Sequence, residues 1–307
     1  MNALIKIEGK ALEKLVDVVS QGIGTLYRPR QIRREADAHA YAIRVTGKAQ
    51  ADVNAETRLI ELETEERLSE RIVAREIKRQ KNLDDVVEMA ACNLKGAPVS
   101  DQPVDIDWAT RFFDIVQDVS REEMQVLWAR ILSDEIQRPT SFSMRTLDVL
   151  RNITFKEAET FEKIAPFILF QNGYFIYNDN IVLDHWGIQY DDLALMIECG
   201  LLQSGDLVSK SFESKPDHDV AAGIVYGKYI VLMTIPQGAR TVSFPVILLT
   251  KVGQELFCLL EPVANMEYIA SFAEGVRKGN PTIKVQYAEL ISREGNQIRY
   301  QPPLSDL

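Results

Sequence analysis

From Gln31 to about Leu83 the chain contains no proline and a single glycine, Gly47. Nothing in that stretch breaks a helix, and its alanines and i,i+4 pairs such as Glu63→Arg67 favour one. One long helix is therefore predicted, in a front segment taken as 31–94. Its candidate seam runs through Ile32, Ala36, His39, Ile43, Thr46, Gln50, Val53, Thr57 and Ile60. The spacing is that of a heptad, but half of the seam is polar. A strong two-stranded zipper is disfavoured, and weak self-association or packing on other helices is expected.

Ahead of this helix, "ALIKIEGKALEKLVDVVSQGIGTLY" places Ile5, Leu12, Leu15, Val16, Val19, Ile23 and Leu26 at helical spacing, with charged residues opposite. Residues 1–30 are thus read as an amphipathic helix followed by a hinge at Gly22, Gly24 and Pro29, since proline steers Arg28 away from helical angles. Arg28, Arg30, Arg33 and Arg34 then fall within seven positions. A solvated helix start, partly matched by Glu35 and Asp37, is one reading of them. Peripheral contact of residues 1–34 with an anionic membrane is a second, because cations directly after an apolar face suit that surface. The third is docking on an acidic protein partner, including the back of a neighbouring copy, which would make the protein a homo-oligomer.

Charge is unevenly distributed. Residues 1–100 hold 17 Lys and Arg against 16 Asp and Glu, which leaves 18 against 29 in the remainder of a chain with net charge −10. An acidic back repels phosphate, so binding of nucleic acid is disfavoured. Cys92, Cys199 and Cys258 form no CxxC pair, which fits a reducing compartment. No apolar window of roughly 18 residues is present, and a cytoplasmic or membrane-peripheral protein is expected.

The Pro- and Asp-rich stretch "LKGAPVSDQPVDIDW" separates the front from a helical bundle over 105–169. Two capping boxes are predicted there, Ser120 with Glu123 and Thr154 with Glu157. From residue 170 to 307 short runs rich in Ile, Val, Tyr and Phe ("YFIYN", "GIVYGKYIVLMTIP", "TVSFPVILLT") alternate with helices such as "DDLALMIECGLL" and "TKVGQELFCLL". The fold class is α+β: a long helix and bundle, then a C-terminal α+β domain.

The stretch "DIDWATRFFDIVQDVSREEMQVLWARILSDEIQRPTSFSMRTLDVLRNITFKEAETFEKI", with "GIGTLYRPRQIRREADA" before it and "LTKVGQEL" after it, resembles an uncharacterised bacterial family, a domain of unknown function. Related helical modules in abortive-infection proteins imply an anti-phage defence setting. The resemblance carries no catalytic residue. The pairing of "LALMIECGLL" with "LLTKVGQELFCLL" around a β-rich insert resembles a degenerate winged helix. Its groove-entering helix, Leu193–Leu202, carries Glu198 and no Arg or Lys, which argues against DNA readout.

Motifs with strong mechanical logic are absent: no phosphate loop, no HExxH and no GxSxG. Asp217, His218 and Asp219 could meet a divalent ion, yet adjacent residues in an extended loop point apart. Asp206, Glu213 and Lys215 have the outline of a metal-dependent nuclease, an outline that chance supplies in any charged chain. The chain thus reads as a non-enzymatic, self-assembling interaction protein with no cofactor or resident metal and with a C-terminal recognition domain. A nuclease and a DNA-binding regulator are the alternatives.

Overall fold

The computed structural model describes residues 9–27, 57–205, 208–294 and 297–307. The described chain is α+β, with helices leading and an antiparallel sheet following, as the sequence predicts. It divides into two compact units, Met1–Leu147 and Asp148–Leu307. The division falls inside the segment 105–169 that the sequence groups as one bundle.

Unit 1 contains α1 (Lys10–Ile23), α2 (Thr57–Asn93), α3 (Ile106–Val116) and α4 (Glu122–Gln137), and α5 (Met144–Asn152) crosses into unit 2. Helix α2 runs to Asn93, and its last three turns bury Leu83, Val86, Val87, Ala90 and Ala91 in the core. The predicted seam lies outside the described residues up to Val53, and of Thr57 and Ile60 only the backbone is described. Trp108 stacks on Phe112, and Phe112 meets Trp128 edge to face at 5.5 Å, which joins α3 to α4.

The predicted Ser120–Glu123 box does not form. Arg121 occupies the N-cap of α4 without a side-chain cap. The Ser120 hydroxyl instead accepts a hydrogen bond from the buried Asn82 amide of α2 at 3.3 Å, an amide that also donates to the Gln117 carbonyl at 2.8 Å. A tertiary partner has taken the capping group.

In unit 2, α6 (Phe155–Ile164) opens with the predicted Thr154–Glu157 box, in which the Thr154 N–H donates to Glu157 at 2.6 Å. That bond, and after it the Thr154 hydroxyl, hold the Glu157 carboxyl below its ordinary 4.5. A depressed folded-state value stabilises the protein above 4.5, and the contribution is lost as pH falls through the folded value. Glu157→Gln is therefore expected to lower the urea midpoint at pH 7, by an amount that shrinks as pH falls below 4.5. A gap of the same size at every pH would mean that the charge is not what the box uses.

Helix α6 ends at Ile164, a 3-10 turn over Ala165–Phe167 accommodates Pro166, and Ile168–Phe170, which the sequence places in the helical stretch, becomes β1. There follow β2 (Tyr174–Tyr177), α7 (Asn180–His185), α8 (Tyr190–Glu198), β3 (Ser209–Phe212), β4 (Val220–Tyr226), β5 (Tyr229–Ile235), β6 (Val242–Leu248), α9 (Lys251–Phe257), α10 (Met266–Gly279), β7 (Lys284–Glu294), β8 (Gln297–Tyr300) and β9 (Ser305–Asp306). They build a nine-stranded antiparallel sheet, ordered β3-β6-β2-β1-β4-β5-β7-β8 with β9 on β7. Only Phe170 opposite Val225 joins β1 to β4. One face of the sheet is sealed by α10, where Phe272 meets Tyr177 and Phe244, each at 5.2 Å. The fully buried Tyr268 hydroxyl donates to the Phe167 carbonyl at 3.1 Å.

Candidate interaction surfaces

Arg28, Arg30, Arg33 and Arg34 lie outside the described residues together with Pro29. What precedes them is held firmly. Tyr27 is buried, its N–H donates to Ser20 Oγ at 3.0 Å, and its hydroxyl donates to Asp84 of α2 at 3.1 Å. Gly22 sits inside α1, where a β-carbon would overlap the Phe113 ring and stand 2.8 Å from the Ala109 carbonyl oxygen of α3. Gly24 closes the helix at φ 70°, a conformation glycine adopts without strain. The two glycines thus fill a packing and a capping position.

The apolar stripe of α1 is an internal surface. Leu15, Val18 and Val19 are buried, and the helix packs chiefly on α3. On its polar side the Lys14 ammonium donates to three carbonyls, of Ser100 at 3.0 Å, Gln102 at 2.6 Å and Ile136 at 3.0 Å. Burial, then the neighbouring Lys10, lower its pKa, while Glu135 opposes that shift. An interfacial helix presents a free apolar face, and α1 has its face covered.

The acid-rich candidates are scattered. Glu213 and Lys215 are exposed on the loop after β3, and Asp206 lies outside the described residues. His218 pairs with Asp217 at 2.8 Å, whereas Asp219 accepts from the Gln237 N–H at 2.9 Å and so fixes a turn. Among the described residues no group of three His, Cys, Asp or Glu side chains is placed to hold a metal ion. Helices α8 and α9, which carry the winged-helix resemblance, are tied by the Thr250 hydroxyl, which donates to the Gly200 carbonyl at 2.6 Å. Beside them Cys199 is half-buried, and burial, followed by the Glu157 carboxylate, pushes its thiol up to about 11. Cys92 and Cys258 are exposed. A thiol titration at pH 7.5 is expected to find two fast groups and a third that reacts only after unfolding; three equally fast groups would contradict this placement of Cys199.

Among the described residues a cavity and an exposed helix segment stand out. In unit 2 a cavity of about 820 Å³ is walled by Phe170, Tyr174, Val225, Phe257 and Val263, with Lys228 and Glu261 among its polar groups. Its size and apolar lining fall in the range of ligand pockets. In unit 1 residues 67–78 of α2 are all exposed, Leu68 at 43%, Ile72 at 49%, Val73 at 40% and Ile77 at 66% among them. The same part of the helix carries Arg67, Arg71, Arg75, Lys78, Arg79 and Lys81, preceded by Glu61, Glu63, Glu65 and Glu66. This pattern is hidden in a charge count over the whole front, where the acidic and basic runs cancel. Read in windows of about six residues, the alternation is visible in the sequence.

A family model described as "Protein of unknown function (DUF2806)" matches residues 66–273, more than half of the chain. The chain belongs to the DUF2806 family. No curated protein and no solved structure matches it. The DUF2806 match reaches from the exposed part of α2 to α10, so the cavity and the exposed helix segment lie within it or at its start. Among the described residues no helix is long and apolar enough to cross a membrane.

Proposed function

We propose that this DUF2806 protein is a non-enzymatic interaction protein that assembles with copies of itself through unit 1 and recognises a partner with unit 2. One observation carries the reading: four large apolar side chains stand exposed on a part of α2 that has left its own core. Full exposure of such a helix leaves it marginal in water, and pairing would remove apolar surface at roughly 25 cal/mol per Å². Peripheral membrane contact through residues 1–34, the other expectation, draws no support from α1, whose Leu15, Val18 and Val19 are buried. The apolar cavity supports a recognising role for unit 2. An anti-phage setting stays attached to the abortive-infection resemblance and would be tested by phage challenge.

Native mass spectrometry of the full chain tests the assembly. A discrete multimer is expected, with Leu68→Ser, Ile72→Ser and Ile77→Ser together converting it to monomer while the circular dichroism of the core is retained. A wild-type chain that stays monomeric across the micromolar range would remove the proposal.

A further inference from the structure

The exposed stretch of α2 gathers its positive charge on one side. Arg67, Arg71, Arg75, Lys78 and Lys81, all exposed, fall within an arc of about 120° and along about 21 Å of helical rise. Ala74 is the only other residue of 67–81 in that arc; Glu70 borders it, and Glu76 lies on the far side of the helix. The residues three and four places from Arg71 are Arg67, Leu68, Ala74 and Arg75, and those around Lys78 are Ala74, Arg75, Lys81 and Asn82. No carboxylate on the helix is therefore spaced to pair with either. At the edge of the arc Arg75 meets Glu76 at 3.3 Å, and Arg79, outside it, meets Asp118 at 2.9 Å. Among the described residues Arg71, Lys78 and Lys81 form no ion pair. A solvated helix face intersperses the two signs, whereas Arg67, Arg71 and Arg75 repel one another at i,i+4 spacing. An anion laid along the arc would relieve that repulsion.

The arc also selects the kind of anion. It holds no large apolar side chain, whereas a protein interface is centred on apolar and aromatic anchors with its charges at the rim. The apolar residues of the stretch, Leu68 with Ile72 and Val73 with Ile77, are parted by Ser69 and Glu76, so no continuous apolar face is there to enter a lipid surface. What remains is attraction by charge, which governs contact with a phosphate backbone. A helix about 10 to 12 Å across also fits the major groove of DNA, which is about 12 Å wide. The acidic back disfavours nucleic acid over the chain as a whole. Charges beyond about 8 Å are largely screened at physiological salt, however, and residues 67–81 hold six cations against two glutamates. We infer that this face of α2 binds the phosphate backbone of duplex DNA without regard to base sequence. Its residues are not the apolar ones on which self-assembly rests, so the inference goes beyond the function proposed above.

Fluorescence anisotropy of a labelled DNA duplex of about 20 base pairs, titrated with the full chain at about 50 to 200 mM NaCl, tests it. The logarithm of the binding constant is expected to fall with the logarithm of salt at a slope of about −3 to −4.5, since each phosphate neutralised contributes about −0.9. Arg71→Gln with Lys78→Gln should make the slope shallower by about 2 and weaken binding at about 50 mM salt by roughly ten-fold or more. Both side chains are exposed and their loss lowers like-charge repulsion, so the far-ultraviolet circular dichroism should be unchanged. Arg71→Lys, which keeps the charge, should bind as the wild type does. Lys215→Gln with Lys278→Gln removes the same charge from exposed positions of unit 2 and is expected to leave the slope alone. An equal loss from both pairs would reduce the effect to net charge and overturn the inference. So would a duplex that fails to bind at the lowest salt, or one that binds with an unchanged slope when Arg71 and Lys78 are replaced. Polyglutamate that displaces the duplex as well as unlabelled duplex does, charge for charge, would assign the face to an acidic protein, again against the inference. Self-assembly is read separately by native mass spectrometry and stands or falls on that result.

Discussion

Glu135→Ala is expected to lower the melting temperature of the protein by roughly 5 to 15 °C, from a loss of about 2 to 5 kcal/mol in unit 1. Glu135 is 2% exposed, near the end of α4. Its two oxygens accept from the N–H groups of Thr140 at 2.6 Å and Phe142 at 3.0 Å. The turn it holds contains Pro139, which has no N–H, and Thr140, a β-branched residue at φ 73°. Such a backbone conformation costs on the order of 1 kcal/mol or more and persists only where its surroundings enforce it. Removing the carboxylate leaves two donors without that acceptor and releases the enforcement. Glu135→Gln, which keeps one oxygen, should lose less. If thermal melts of the alanine variant fall within 1 °C of the wild type, the carboxylate does not hold the turn.

Gly253→Ala is expected to destabilise unit 2 by about 3 to 5 kcal/mol, although alanine is the better helix former by about 1 kcal/mol. Gly253 lies in the first turn of α9, with its N–H donating to the Thr250 hydroxyl at 3.1 Å. A β-carbon there would overlap the Leu201 carbonyl oxygen and stand 3.0 Å from its carbon. These are backbone atoms, and the Thr250 N–H holds the same carbonyl at 3.0 Å, so neither side can yield by a rotamer change. Gly279→Ala is the internal comparison: it sits in the last turn of α10 with nothing within 4 Å of an added β-carbon. That variant should be neutral or slightly stabilising. Urea denaturation of the two variants measures the contrast, and similar midpoints would refute the steric account.

Local chemistry was legible where local chemistry decides. The Thr154–Glu157 box and the helix within "DDLALMIECGLL" both form where residue type and spacing place them. Each satisfies its backbone groups within a few residues and needs no distant partner. The same reasoning failed at Ser120, where Asn82 from another helix claimed the hydroxyl, and at Ile168–Leu169, where β2 offered a strand to pair with.

For the candidate surfaces, the sequence by itself determined the α+β class, the amphipathic face of α1 and the acidic and basic runs of α2, because periodicity and charge are properties of the chain. Only the tertiary structure decided which apolar faces are covered. It seated α1 on α3 with Gly22 against Phe113, and it buried Leu83 to Ala91 while leaving Leu68 to Ile77 of the same helix exposed. The physical reason is that burial belongs to pairs of surfaces: a stripe of leucine and isoleucine looks the same in sequence whether its partner lies in the same core, in another copy, or is water.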